Sequence, residues 1–78
     1  MLGIKDLVTL DDKNKYLVAN KTNIDGITYY MLVDIDNSKN YKFCYEVNEK
    51  NILKLIQIED KKTINKLVIV FMKKYLGV

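Results

Sequence analysis

The chain contains no histidine, arginine, tryptophan or proline, and it has only one cysteine and three glycines. Each absence removes a class of function. Without histidine there is no side chain whose ordinary pKa suits a neutral-pH general base. No nucleophile–base pair can be drawn for Cys44 from its neighbours, so no enzyme activity is expected. A lone cysteine permits no intrachain disulfide and no cysteine–histidine metal cluster. Gly3, Gly26 and Gly77 stand apart, so no glycine-rich phosphate cradle exists and no cofactor is expected. The lack of arginine removes the residue best suited to bidentate base contacts. Residues 1–10 lack the basic start and apolar run of a secretion signal. The longest apolar run, Leu67–Met72, is far below the roughly 20 residues that span a bilayer. A cytoplasmic protein with no membrane partner is expected.

What is present is a single small domain, 1–78, in which 49% of residues are hydrophobic, enough to build a core without disulfides. The net charge of +3 is unevenly spread. Residues 1–60 hold eight lysines and ten acids, whereas residues 61–78 hold Lys61, Lys62, Lys66, Lys73 and Lys74 and no acid. Lysine, asparagine and isoleucine make up thirty residues, a bias that an A/T-rich bacterial or phage genome would produce without selection for chemistry.

Alternation of apolar and polar residues predicts about five strands within 1–58. Leu2–Leu10 reads as the first, closed by Asp11-Asp12-Lys13-Asn14. From Tyr16 the alternation resumes, with Tyr16, Val18, Asn20 and Thr22 on one side, until Asn23-Ile24-Asp25-Gly26. Asp-Gly there is a hairpin signal, because a type I′ turn needs positive φ at both central residues. In the third strand Ile27, Tyr29, Met31, Val33 and Ile35 form an unbroken apolar face. Asn37-Ser38-Lys39-Asn40 then reads as a turn, although Asp34-x-Asp36-x-Ser38 also opens like a calcium loop. That loop fails on spacing, since Lys39 stands where glycine is needed and Tyr45 where a bidentate glutamate is needed. Tyr41, Phe43, Tyr45 and Val47 share a face of the fourth strand, and Ile52–Ile58 is nearly continuously apolar. Short connections between strands imply an antiparallel meander.

The chain closes with a predicted amphipathic helix over about 60–76, giving an α+β fold: a β-meander with one C-terminal helix packed on the sheet. Asp60 is the expected N-cap and Gly77 the C′ glycine, with Lys73 and Lys74 suited to the negative end of the helix dipole. Ile64, Leu67, Val68, Phe71, Met72 and Tyr75 form the stripe expected to face the sheet. Opposite it, Lys62, Lys66 and Lys73 fall in one narrow sector. This ridge reads either as a solvated face or as a phosphate-binding surface for nucleic acid.

The pieces Leu7–Asp12, Ile24–Asp36 and Ile58-Glu59-Asp60 with the helix to Phe71 resemble a family of short bacterial proteins, mainly Gram-positive, classed as a domain of unknown function. The resemblance implies a β-rich cytoplasmic protein and assigns no functional residues. Among six tyrosines, Tyr29, Tyr41 and Tyr45 share the more apolar alternation and are expected in or beside the core. Tyr16 and Tyr30 are expected at the surface as partner contacts, along with Lys62, Lys66 and Lys73. The function expected is a non-catalytic module that binds a protein, one version being an inhibitor of a host nucleic-acid machine such as a defence nuclease. The alternatives are a nucleic-acid binder using the lysine ridge and a homodimer.

Overall fold

Two short turns fix the register of a computed structural model that describes residues 2–77. At Asp25-Gly26 both residues have positive φ, 53° and 85°, and Asn23 Oδ1 accepts a hydrogen bond from the Gly26 N–H at 3.1 Å. At Lys50-Asn51 the same handedness appears without glycine, with φ of 51° and 68°. Both are tight hairpin turns whose twist matches that of the strands they join. The strands are β1 (Leu7–Thr9), β2 (Lys15–Ile24), β3 (Ile27–Asp34), β4 (Asn37–Glu49) and β5 (Ile52–Gln57), followed by the helix α1 (Lys61–Leu76). They form one antiparallel sheet in sequential order, the expected meander.

Two expected boundaries move. The first strand is only three residues long, because the chain turns at Gly3–Asp6, with Lys5 at φ 78° and Gly3 N–H held by Asp6 Oδ2 at 2.7 Å. The turn between β3 and β4 falls at Ile35-Asp36, where Asp34 Oδ1 accepts the Asp36 N–H at 2.9 Å, and Asn37–Asn40 belong to β4. An aspartate folding back on the backbone two residues on is itself a turn former.

Strict alternation along β2 fails at Ala19. Val18 pairs with Leu32, and the next paired residue, Asn20, meets Met31, so Ala19 is an extra residue in the strand. Such a bulge transfers the following side chains to the other face. Tyr16 and Val18 therefore face one side of the sheet, while Asn20, Thr22 and Ile24 face the other.

The sheet curls, and each face carries its own core. On the concave side Tyr16, Val18, Tyr30, Leu32 and Cys44 are at most 1% exposed, with Leu2, Val8, Leu10 and Leu55 packed against them. On the convex side Phe43, Ile58, Leu67 and Phe71 are buried beside Ile24, Tyr29, Met31, Tyr45 and Ile64. The Phe43 and Phe71 rings stack with centroids 6.2 Å apart and planes 9° from parallel.

The helix ends are as the sequence implies. Asp60 Oδ2 accepts from the Thr63 N–H at 3.0 Å and the Thr63 hydroxyl at 2.7 Å, and these bonds lower the Asp60 carboxyl pKa. Gly77, at φ 76°, ends the helix by donating to the carbonyls of Lys73 and Lys74. Among the described residues no helix is long and apolar enough to cross a membrane.

Candidate protein-docking groove

The helix is turned about its axis relative to the expected stripe. Leu67 and Phe71 are buried and Thr63, Ile64 and Val70 half-buried, whereas Val68, Met72 and Tyr75 are exposed, Tyr75 by 89%. At about 100° per residue the buried side is rotated by roughly 70° from the sequence stripe. Lys74 explains part of the rotation: its Nζ donates to the Lys21 carbonyl at 2.5 Å, drawing the last turn onto β2. Phe71 stacking on Phe43 fixes the middle. One half of the apolar stripe thus packs on the sheet, and the other half overhangs it.

Beneath the overhang lies a groove of about 580 Å³. Met31 and Phe43 from the sheet form its floor, Tyr41 one wall, and Val68, Met72 and Tyr75 the other. Ala19, the bulge residue, and Asn20 close it near β2. Tyr41 stands edge-on to Phe43, centroids 5.8 Å apart and planes at 84°, and is 53% exposed. Its volume lies within the roughly 300–1,000 Å³ usual for binding clefts. No acidic side chain lines it.

Around the helix from this groove the exposed residues run Tyr75, Val68, Lys61, Met72, Asn65, Leu76 and Ile69, then Lys62, Lys73 and Lys66, at the helical step of about 100°. All ten are exposed, so the expected lysine ridge is present at the surface. It borders a mainly apolar strip, interrupted by Lys61 and Asn65, instead of lying opposite the buried side.

The tyrosine expectation is reversed for three of the rings. Tyr16 and Tyr30, expected as surface contacts, have no exposed area. They are inside because the curled sheet surrounds them and their hydroxyls are satisfied. Tyr16 donates to Asp12 Oδ2 at 2.6 Å and accepts from Asn40 Nδ2 at 3.2 Å. Tyr30 donates to Glu46 and accepts from the Leu2 N–H at 3.2 Å. Burial, reinforced by these carboxylates, raises the Tyr16 pKa and pushes the Tyr30 phenol up to about 12. Tyr41, expected in or beside the core, is instead more than half exposed. Tyr29 and Tyr45 do border the core, half-buried with ring centroids 6.4 Å apart.

The concave side has its own cleft of about 430 Å³, opening between β1 and β5 and lined by Val8, Leu10, Cys44 and Leu55 with Asp12, Lys42 and Gln57 at its mouth. Three of its polar groups are linked to one another: Lys42 Nζ lies 3.8 Å from Asp12 Oδ2 and donates to Gln57 Oε1 at 3.4 Å. The Tyr16 hydroxyl holds the Asp12 carboxyl pKa low. Burial pushes the Cys44 thiol up to about 11, so it stays protonated at neutral pH and is a poor nucleophile. Among the described residues no three His, Cys, Asp or Glu side chains converge as a metal site would require.

Sequence reasoning missed Tyr41, Met31 and the exposed standing of Val68 and Met72. One signal was there: six apolar positions on one helix exceed what a strand pair can cover, so part of the stripe was free for something else. No family model, no curated protein and no solved structure matches this chain.

Proposed function

We propose that this chain is a small non-catalytic module that binds another protein, and that the groove between α1 and the sheet is its docking surface. The supporting observation is the split stripe: Val68, Met72 and Tyr75 lie exposed on a concave apolar surface whose floor is already ordered by the Phe43–Phe71 stack. Exposing a contiguous apolar surface costs solvation free energy that a partner recovers on binding. An aromatic and a methionine at the rim are the residue types that anchor interfaces. The absence of catalysis is supported by the protonated, buried Cys44 and by polar side chains that are already hydrogen-bonded to each other.

Site-specific photocrosslinking in the native host tests this. A photoreactive residue at Met72 should capture a discrete protein, whereas the same residue at Lys13, in an exposed turn away from the groove, should not. The captured protein, purified, should bind the wild-type chain and fail to bind Val68→Glu. Identical capture from both positions, or binding that ignores Val68→Glu, overturns the proposal.

A further inference from the structure

We infer that β5 is the edge at which two copies of this chain join, antiparallel and in one register, into a continuous sheet. The interface is separate from the groove, none of whose lining residues belongs to β5. Strand β5 ends the sheet, and all six of its residues pair with β4 on one side alone. The Ile58 N–H donates to the Phe43 carbonyl at 2.8 Å, so the backbone of Ile58 faces β4. Alternation then turns the N–H and C=O groups of Leu53, Leu55 and Gln57 away from the sheet. Five of the six side chains of β5 are exposed, Ile52 by 60%, and both faces carry isoleucine or leucine. An exposed apolar edge of this kind is a template for a further strand.

The other open stretches of edge are blunted. Strand β1 is three residues long. Where β2 runs past β1, the Lys21 N–H is taken by Asn20 Oδ1 at 2.9 Å and its carbonyl by Lys74 Nζ. Where β4 runs past β5, Asn37 Oδ1 accepts the Lys39 N–H at 3.2 Å, and the pairing with β3 slips between Tyr41 and Asn37. Short strands, side-chain caps and bulges all hinder pairing between edges. Strand β5 has one charge, Lys54, and that charge selects the register.

A two-fold axis can pass at Lys54, Leu55 or Ile56. At Lys54 it sets that lysine directly opposite its own copy, at a closely spaced position where like charges repel. At Ile56 it leaves Leu53 facing no residue of the second β5. At Leu55 it pairs Leu55 with Leu55, Leu53 with Gln57 and Lys54 with Ile56, and every outward N–H and C=O group of β5 finds a partner. That axis also carries the exposed Lys50 turn of each copy alongside the exposed Glu59-Asp60 of the other. This complementarity, repeated at both ends, favours a second copy over a strand of unrelated sequence. Both β5 edges are then consumed and the short β1 lies at either end, so the assembly closes as a dimer.

The test is light scattering of the full chain across a concentration series, with the fold of each variant checked by circular dichroism. The wild type should pass from monomer to dimer and no further. Ile56→Lys sets a lysine against Lys54 of the second copy, twice over, and should weaken the dimer about tenfold, whereas Ile56→Glu should keep it. Under mild oxidation a mixture of Lys54→Cys and Ile56→Cys chains should yield a disulfide-linked dimer of the two, because residues directly opposite at a non-hydrogen-bonded position lie within disulfide reach. Neither variant alone should match that yield. Val68→Glu, the groove variant, should leave the dimer intact. A chain that stays monomeric into the millimolar range, or a dimer that Ile56→Lys and Ile56→Glu affect equally, overturns the inference and leaves the docking reading standing. Open-ended growth overturns the closed dimer. A dimer lost in Val68→Glu but kept in Ile56→Lys seats the second copy in the groove and overturns both readings.

Discussion

The concave and convex faces of the sheet solve the same problem of burial in different ways. On the concave face the chain covers itself: curl, the N-terminal segment and hydrogen-bonded tyrosines leave five side chains at no more than 1% exposure. On the convex face a single helix does the covering, and it covers only part. Phe43 and Leu67 are buried, yet Met72 and Tyr41, close by on the same surface, are more than half exposed. The apolar residues of one face are spent on folding. Those of the other are divided between folding and a surface that remains open.

The sharpest way to break this comparison is to attack the covered part of the convex face. Phe71→Ala removes a 5% exposed ring stacked on Phe43 and should cost about 3–5 kcal/mol, read as a shift of the urea midpoint at unchanged slope. On the concave face the expected penalty is smaller and chemically different. Tyr30→Phe keeps the ring but leaves Glu46 and the Leu2 N–H without their hydroxyl partner, at a cost of about 1–3 kcal/mol in the same titration.

Alkaline titration separates the faces by chemistry. Cys44 and Tyr30, both concave, hold their protons more tightly folded than unfolded, with pKa values raised from 9.0 to about 11 and from 10.0 to about 12. The unfolded chain therefore loses those protons first, and stability that is complete below about pH 9 should fall as pH rises toward about 12. Midpoints measured across that range should fall less steeply in Cys44→Ala than in the wild type. The smallest effect belongs to the open part of the convex face: Met72→Gln should change stability by no more than about 0.5 kcal/mol while weakening capture of the docked protein.

Much of the architecture was legible in the chain. The Asp25-Gly26 hairpin, the meander, the Asp60 cap and the Gly77 stop follow from local chemistry that operates whatever the tertiary context. The inward side of β3 did not follow. Its odd-numbered face, with Tyr29, Met31 and Val33, is the more apolar, yet Thr28, Tyr30, Leu32 and Asp34 are the buried set. Curvature decides that, and curvature is a property of the whole sheet. Polar atoms can be on the inside when partners are waiting, and those partners, Glu46 for Tyr30 and Asn40 for Tyr16 and Asp34, come from β4. The groove was hidden for a related reason: periodicity identifies which side of a helix is apolar, but only the width of the surface beneath it determines how much of that side is used.

The Ala19 bulge carries a consequence for how this chain tolerates change in length. It acts as a phase shift between two reading frames of side chains, one addressed to the concave core through Tyr16 and Val18, the other to the convex side through Asn20, Thr22 and Ile24. Deleting that one small exposed residue removes no buried contact of its own. It would instead put the two halves of β2 out of step, so that either Tyr16 and Val18 leave the interior or the hairpin at Asp25-Gly26 loses its pairing with β3. A substitution at position 19 is a local matter, whereas a change of one residue in length there is addressed to the entire sheet.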